Sequence, residues 1–287
     1  MTWTVDGKTV LITGGNSGIG KETAIALARI GAHVTITARD PERGAAAGRD
    51  ITAAAGAEVE VRPLDLASFA SIRSFAGEFL GHHKQLHVLV NNAGVILSQR
   101  TTTAEGFETT FGVNHLGHFL LTDLLLDRIK ASAPARIINV ASGAHQWARA
   151  GLDFDDLQTE HGYGAMKAYA RSKLANIYFT VELARRLEGT GVTVNAVHPG
   201  GVRTGFARDG DVSGISAFLW KIAGPFLRTP EKGARTSVYA ATAPELESDT
   251  GKYFADEKDA TPTAVAQDAE AAGRLWVESE RLVAGRR

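Results

Sequence analysis

The stretch Thr13-Gly-Gly-Asn-Ser-Gly-Ile-Gly20 constrains this chain more than any other. The apolar run Val10-Leu-Ile12 precedes it and a helical pattern, Lys21 to Ile30, follows it. The order is therefore strand, glycine turn, helix. Gly14, Gly18 and Gly20 lack a Cβ, so the turn can be tight and an anionic group can approach the backbone closely. The N–H groups and positive dipole end of the helix then face that group. A dinucleotide pyrophosphate suits such a unit best. Gly15 to Lys21 also reads as G-x-x-x-x-G-K, the triphosphate loop. Glu22, however, stands where that loop needs a magnesium-binding Ser or Thr. Taken alone, the motif is also compatible with a glycine-rich turn that holds no ligand.

The rest of the chain repeats the alternation. Ala32 to Ala38 reads as a second strand, Pro41 to Ala55 as a helix, and Glu58 to Leu64 as a third strand. Ser68 to Leu80 reads as a helix capped by Ser68, and Gln85 to Val90 as a fourth strand. Thr103 to Arg128 reads as one long helix, Arg136 to Val140 as strand five, and Gly143 to Gly162 as irregular. Tyr163 to Leu187 reads as a helix and Val192 to Val197 as strand six. This pattern predicts an α/β fold, a doubly wound parallel sheet with helices on both faces. No repeat or linker interrupts it, so residues 1–287 read as a single domain. Ligands in such folds bind at the carboxyl ends of the strands. The glycine turn, Arg39, Asp65 and Asn91-Asn-Ala-Gly94 all fall at such ends. After strand two, Ala38 offers no carboxylate to a ribose diol, whereas Arg39 suits a 2′-phosphate. Asp40 is the competing partner, for the ribose or for Arg39 itself.

Composition removes several classes. The formal net charge is -1, so nothing attracts nucleic acid. There is no cysteine, hence no disulfide and no thiol catalysis. His115 and His118 are three apart, but no third ligand has metal-site spacing, and no metal is expected. No apolar run reaches the ~18 residues of a membrane span. Met1 to Gly7 has neither the basic region nor the apolar core of a signal peptide, so a cytoplasmic location is expected.

Tyr169 and Lys173 are four apart on a helix and so share a face. An ammonium near a phenol stabilises the phenolate, which predicts a lowered Tyr169 pKa and a side chain suited to proton exchange with a carbonyl oxygen. Ser142, at a strand end, can hold that same oxygen. An α/β-hydrolase would need a G-x-S-x-G elbow, which is absent.

In order and wording these motifs resemble the short-chain dehydrogenase/reductase family: Thr13 to Gly20, Asp65, Asn91 to Gly94, Asn114, Ser142, Tyr169 with Lys173, and Pro199-Gly200. The chain is similar in particular to the retinol dehydrogenase-like branch. Asn114-His-Leu-Gly-His-Phe-Leu-Leu121, Ser172-Lys-Leu-Ala-Asn176, Val197-His-Pro-Gly200 and Gly251-Lys-Tyr-Phe254 carry that likeness. The resemblance implies a single Rossmann-type sheet of about seven strands, the last from Gly251 to Phe254. It implies reversible hydride transfer between a nicotinamide cofactor and an alcohol/carbonyl pair, without metal. Arg39 makes NADP(H) the expected cofactor ahead of NAD(H). By resemblance Tyr169 is the acid/base, Ser142 the carbonyl partner, and Lys173 both tunes Tyr169 and binds the nicotinamide ribose. Asn114 holds a water that links Lys173 to solvent. Cofactor contacts are implied for Gly14, Asn16, Ser17, Gly18, Ile19, Gly20, Asp65, Leu66, Asn91, Ala93, Gly94, Pro199, Gly200, Val202 and Thr204, beside Arg39, Tyr169 and Lys173. Trp147 and Phe154, in the long interval between Ser142 and Tyr169, are expected at the site rim. Residues 205–228 imply a substrate-covering segment. In it Ile215, Phe218, Leu219, Ile222 and Phe226 recur at helical spacing and point to a hydrophobic substrate. A homo-oligomer is compatible with the family. The rival reading is a nucleotide-sensing protein without catalysis, against which intact Ser142, Tyr169 and Lys173 argue.

Overall fold

A computed structural model of the chain describes residues 2–202 and 228–284. Thr204 and positions 205–227 of the expected covering segment lie outside the described residues. In chain order the strands are β1 (Thr9–Ile12), β2 (His33–Ala38), β3 (Glu60–Pro63), β4 (Val88–Asn91), β5 (Ala135–Val140), β6 (Val192–His198), β7 (Tyr253–Ala255) and β8 (Lys258–Asp259). The main helices are α1 (Gly18–Arg29), α2 (Pro41–Ala55), α3 (Phe69–His82), α4 (Gly117–Ala131), α5 (Ala165–Arg186), α6 (Pro230–Thr242) and α7 (Ala269–Ala284). The strands form one sheet in the order β3-β2-β1-β4-β5-β6-β7-β8. All neighbours are parallel except β7 and β8. The order reverses beside β1, which pairs with both β2 and β4, and that reversal opens a crevice at the strand ends.

The strands are apolar on both faces, as a parallel sheet under two helical layers requires. Val10, Ile12, Val88 and Val90 pack with α1, α2 and α6, while Leu11 and Leu89 pack with α3, α4, α5 and α7. Each such fully buried aliphatic chain contributes about 1.5–3 kcal/mol relative to exposure. Local chemistry sets the helix starts. Pro41 opens α2 and the Asp40 carboxylate caps it, accepting from the N–H groups of Glu42 and Arg43. Ser68 caps α3 by accepting from Ser71 N–H, as expected from the sequence. Among the described residues no helix is long and apolar enough to cross a membrane.

Two elements differ from the sequence expectation. Thr103 to Arg128 is not one helix: Thr102 bridges Glu108, a helical turn covers Thr109–Phe111, and Gly112–Leu116 is a π-helical turn before α4 begins. The Glu108 carboxylate caps that turn through Thr110 and Phe111 N–H, so the helix starts six residues late. The sheet also has an eighth strand. Asp256 and Glu257, at φ 52° and 61°, form a tight turn that folds β8 back on β7. A two-residue strand leaves no periodicity to read, and the turn lacks the usual glycine.

His115 and His118 are core residues. His115 Nε2 meets Ser279 Oγ on α7 at 2.8 Å, and both rings are buried. Burial lowers His115 to about 3 and His118 to about 4, from 6.5. Below pH 6.5 the unfolded chain therefore binds protons that the folded chain refuses. This contribution is fully present above 6.5 and is lost as pH falls toward those lower values. Between pH 6.5 and 5 each histidine should lower stability by about 2 kcal/mol. Urea denaturation across that range checks this. His115→Phe should show a shallower loss than the parent, and equal slopes would mean that folded His115 already carries a proton.

Candidate active site

The glycine turn runs from β1 into α1. Gly14 and Gly18 have φ of 63° and 53°, a backbone that residues with a Cβ resist. A Cβ on Gly20 would lie 2.5 Å from the Gly14 carbonyl oxygen and from Asn92 Nδ2. Gly20 is thus required by chain packing as much as by any ligand. Ser17 opens α1 without a side-chain hydrogen bond, so the first N–H groups of the helix are not satisfied by their own cap. With Asn16 and Ile19 half-exposed beside it, this is a cradle for an anion at a helix N-terminus. At the end of β2, Arg39 is exposed. Asp40 is engaged as the α2 cap and lies 3.9 Å from Arg43, so it does not compete for Arg39. Asp65 accepts from Ala67 N–H, and Leu66 is buried with its carbonyl against Gly117.

The turn after β4 is built by Thr13 and Asn114. Thr13 Oγ1 accepts from Asn92 and Ala93 N–H at 2.9 and 3.0 Å, and Asn92 Nδ2 donates to the Thr13 carbonyl at 2.8 Å. The Asn114 amide clasps Val95 from both sides, accepting from its N–H at 2.7 Å and donating to its carbonyl at 3.0 Å. It also donates to Ser172 Oγ at 2.9 Å. With both amide hydrogens spent, a water could meet Asn114 only as a donor, at the second lone pair of Oδ1 or at its main-chain carbonyl. His118 Nδ1 already lies 3.1 Å from that oxygen, and its Nε2 lies 2.9 Å from Thr13 Oγ1. The carbonyl cannot donate, so Nδ1 carries the hydrogen and Nε2 accepts from Thr13. Asn91 points elsewhere. Its side chain donates to Thr122 and Asn139 and is buried with them in the core, so a cofactor would meet its main chain.

Ser142, Tyr169 and Lys173 come together at the ends of β5 and along α5. The Ser142 hydroxyl hydrogen-bonds the Tyr169 phenol and accepts from Ala144 N–H at 3.1 Å. Lys173 Nζ is buried, donates to the Val140 carbonyl at 2.8 Å, and lies 5.6 Å from the Tyr169 ring centroid. Burial lowers its pKa to about 8. The phenol moves opposite to the sequence expectation. Burial raises the Tyr169 pKa, and the Ser142 hydrogen bond only partly opposes this. Helical spacing alone put the ammonium near the phenol, but the fold directs Nζ onto Val140 and leaves the ring half-buried. Gly94 completes the floor, where a Cβ would lie 3.2 Å from Asn114 Oδ1 and 3.6 Å from Lys173 Nζ.

Beyond β6, Pro199 is buried and Gly200 turns at φ 80°. Val202 packs on α6 where Gly233 leaves room beside Ile19, which brings this loop to the glycine turn. Of the two expected rim aromatics, Trp147 is 64% exposed and lines a cavity of about 390 Å³ with Met166. Phe154 instead packs under the Arg274 guanidinium, 4.2 Å away on α7. Sequence reasoning missed Thr13, Asn92 and His118 as the ties between the loops. They stood inside quoted motifs, but their partners are 79 and 105 residues away.

The sequence pattern of short chain dehydrogenases matches residues 8–153 and 156–211. The chain is 50% identical over 278 residues to retinol dehydrogenase 12 of Homo sapiens, covering 96% of this chain and 86% of that protein. It is 49% identical over 286 residues to retinol dehydrogenase 13 of Homo sapiens, covering 98% and 86%. A crystal structure of an uncharacterized protein from Mycobacterium Paratuberculosis superposes with a TM-score of 0.77 at 35% identity, over 99% of this chain and 98% of that one. The Pseudomonas aeruginosa RhlG/NADP active-site complex superposes with a TM-score of 0.70 at 29% identity, over 88% and 95%.

Proposed function

This chain belongs to the short-chain dehydrogenase family, in its retinol dehydrogenase-like branch, and we propose that it reduces hydrophobic aldehydes or ketones reversibly with NADP(H). The single observation that carries the reading is the convergence of Ser142, Tyr169 and Lys173 beside the glycine cradle at the crevice. The cradle fits a dinucleotide: α1 offers uncapped N–H groups, and Gly94 puts no side chain in front of Lys173 Nζ. Bound there, the nicotinamide supplies the hydride. Tyr169, held as the neutral phenol, donates its proton to the carbonyl oxygen. Ser142 Oγ already accepts from Ala144 N–H, so its own hydrogen is available to that same oxygen. Lys173 holds positive charge below pH about 8 and stabilises the phenolate that proton transfer leaves. A hydrophobic substrate is supported by the names of the relatives; the cavity at Trp147 and Met166 is also lined by Arg149, Lys167 and Arg171. Met166 lies one helical turn before Tyr169 on α5. NADPH consumption over a panel from small polar to long-chain carbonyls tests the class, and best activity on small polar members would overturn the hydrophobic assignment.

Cofactor choice rests on Arg39, which Asp40 leaves unpaired by capping α2. A guanidinium–phosphate contact is worth about 1.5–3 kcal/mol, so NADP(H) should bind about 10- to 100-fold more tightly than NAD(H). Arg39→Ala should close most of that gap. Fluorescence titration of both cofactors checks it, and equal affinities in the parent would reject the preference.

A further inference from the structure

Two histidines that the proposed chemistry does not use grip one peptide bond. The peptide joins Ser142 to Gly143, and its carbonyl and N–H point to opposite sides, as in any trans peptide. The Ser142 carbonyl meets His145 Nδ1 at 2.8 Å and His145 N–H at 3.1 Å. The Gly143 N–H donates to His198 Nδ1 at 3.0 Å. His198 Nδ1 also accepts from Gly200 N–H at 3.3 Å, so one ring joins the loops after β5 and β6. His145 is 1% exposed, and its Nε2 accepts from Thr263 N–H at 3.3 Å. Tyr253 of β7 backs both rings, with centroids 5.3 Å from His145 and 6.4 Å from His198.

We propose that His145 and His198 are positioning residues that clamp the Ser142–Gly143 peptide from its two sides and so fix where the Ser142 hydroxyl meets the substrate oxygen. The inference rests on the dehydrogenase reading above. Ser142 takes an extended backbone, φ -164° and ψ 153°, which many strand ends adopt, so it is these partners that select it. Ser142 Oγ accepts from Ala144 N–H, and the flanking peptide is held on both sides. The hydroxyl hydrogen is the group left to rotate toward Tyr169 and a carbonyl.

The partners also determine the ring states. A carbonyl faces His145 Nδ1, so that nitrogen carries the hydrogen and Nε2 accepts. Two N–H groups face His198 Nδ1, so it must be bare and Nε2 carries the hydrogen. The rings therefore hold opposite neutral tautomers. A proton added to His198 would lie against two donors, and one added to His145 would lie against Thr263 N–H. Burial disfavours either event; the His145 ring adds to this at His198, and the Ser142 carbonyl partly opposes it at His145. Arg228 opposes charge on His198 and Asp256 favours it, and these two are ion-paired with each other. Acid should release the clamp.

Leucine removes each ring's polar atoms, whereas asparagine replaces Nδ1 with a donor for His145 and an acceptor for His198. His198→Leu should speed hydrogen exchange at Gly143 N–H by about tenfold or more, and His198→Asn should restore it to within about threefold. For carbonyl reduction, both leucine variants should lower kcat by about tenfold or more, and both asparagine variants should recover most of it. His145→Leu should leave cofactor affinity unchanged, while His198→Leu should weaken it through Gly200. As pH falls below 6.5 the parent should lose kcat, and the His198→Asn variant should lose less. Ring ¹⁵N spectra of the full-length parent should show His145 as the Nδ1–H and His198 as the Nε2–H tautomer. Identical tautomers, parental kcat and Gly143 protection in the leucine variants, or asparagine no better than leucine, would each overturn the clamp. A parent that reduces no carbonyl would instead remove the dehydrogenase reading, and Gly143 exchange and the tautomers would still decide the clamp.

Discussion

Replacing Tyr169 with phenylalanine should lower carbonyl reduction by about 10²- to 10⁴-fold, the range for loss of a positioned general acid. The ring stays and only the hydroxyl goes, so the packing of α5 is kept. Cofactor affinity should change less than about twofold, because the phenol acts in the transition state and not in the binary complex. The lost hydroxyl leaves Ser142 with Ala144 N–H as a partner, so stability should barely move. Stopped-flow reduction at saturating NADPH, with cofactor titration alongside, separates the two quantities. Turnover near the parental value would place the proton donor elsewhere. A large loss of cofactor binding would show that the ring had moved.

The second large effect is at Lys173, where function and stability should part. Nζ is buried, and burial lowers its pKa to about 8. The charged form is therefore costly in the folded state. Lys173→Met keeps the volume and removes the charge. The Val140 carbonyl keeps a donor, because Asn176 Nδ2 also reaches it at 3.3 Å. The variant should melt at the parental temperature or above it. Its carbonyl reduction should nevertheless fall by about 100-fold or more, since the phenolate left on Tyr169 then keeps only the Ser142 hydrogen bond and no positive charge. NADPH should also bind more weakly, because the ribose contact is lost. In the parent, reduction should decline as pH rises through about 8, where Lys173 loses its charge. The Met variant should lack that decline. A clear drop in melting temperature would mean that Lys173 holds the fold together and is not tuned for chemistry.

Much of the architecture was legible because its causes are local. The Pro41 start of α2, the Ser68 cap of α3 and the glycine turn each depend on residues within a few positions of one another. The parallel order followed from regular alternation of strand and helix. The misreading at Thr103 to Arg128 shows the limit. Ala104 and Glu105 suit a helix, but Gly106 turns at φ 88° and the Glu108 carboxylate caps the chain at Thr109, which delays the helix. The π-helical turn that carries Asn114 has no periodic signature. β8 is two residues long and exists because β7 is there to receive it.

By itself the sequence determined the family, the mostly parallel α/β fold, and the presence of Tyr169 and Lys173 on one helical face. Each of these rests on spacing, which the covalent chain and the helical repeat impose without reference to anything distant. Tertiary structure alone decided the electrostatics and the anchoring. It raised the Tyr169 phenol by partly burying it and directed Lys173 Nζ to Val140. It turned Asn91 into the core and placed His118 between Thr13 and the Asn114 carbonyl. It brought His145 and His198 to the two sides of one peptide. Burial and hydrogen-bond partnership are properties of groups distant in the chain that the fold brings within about 3 Å, and no local pattern encodes that distance.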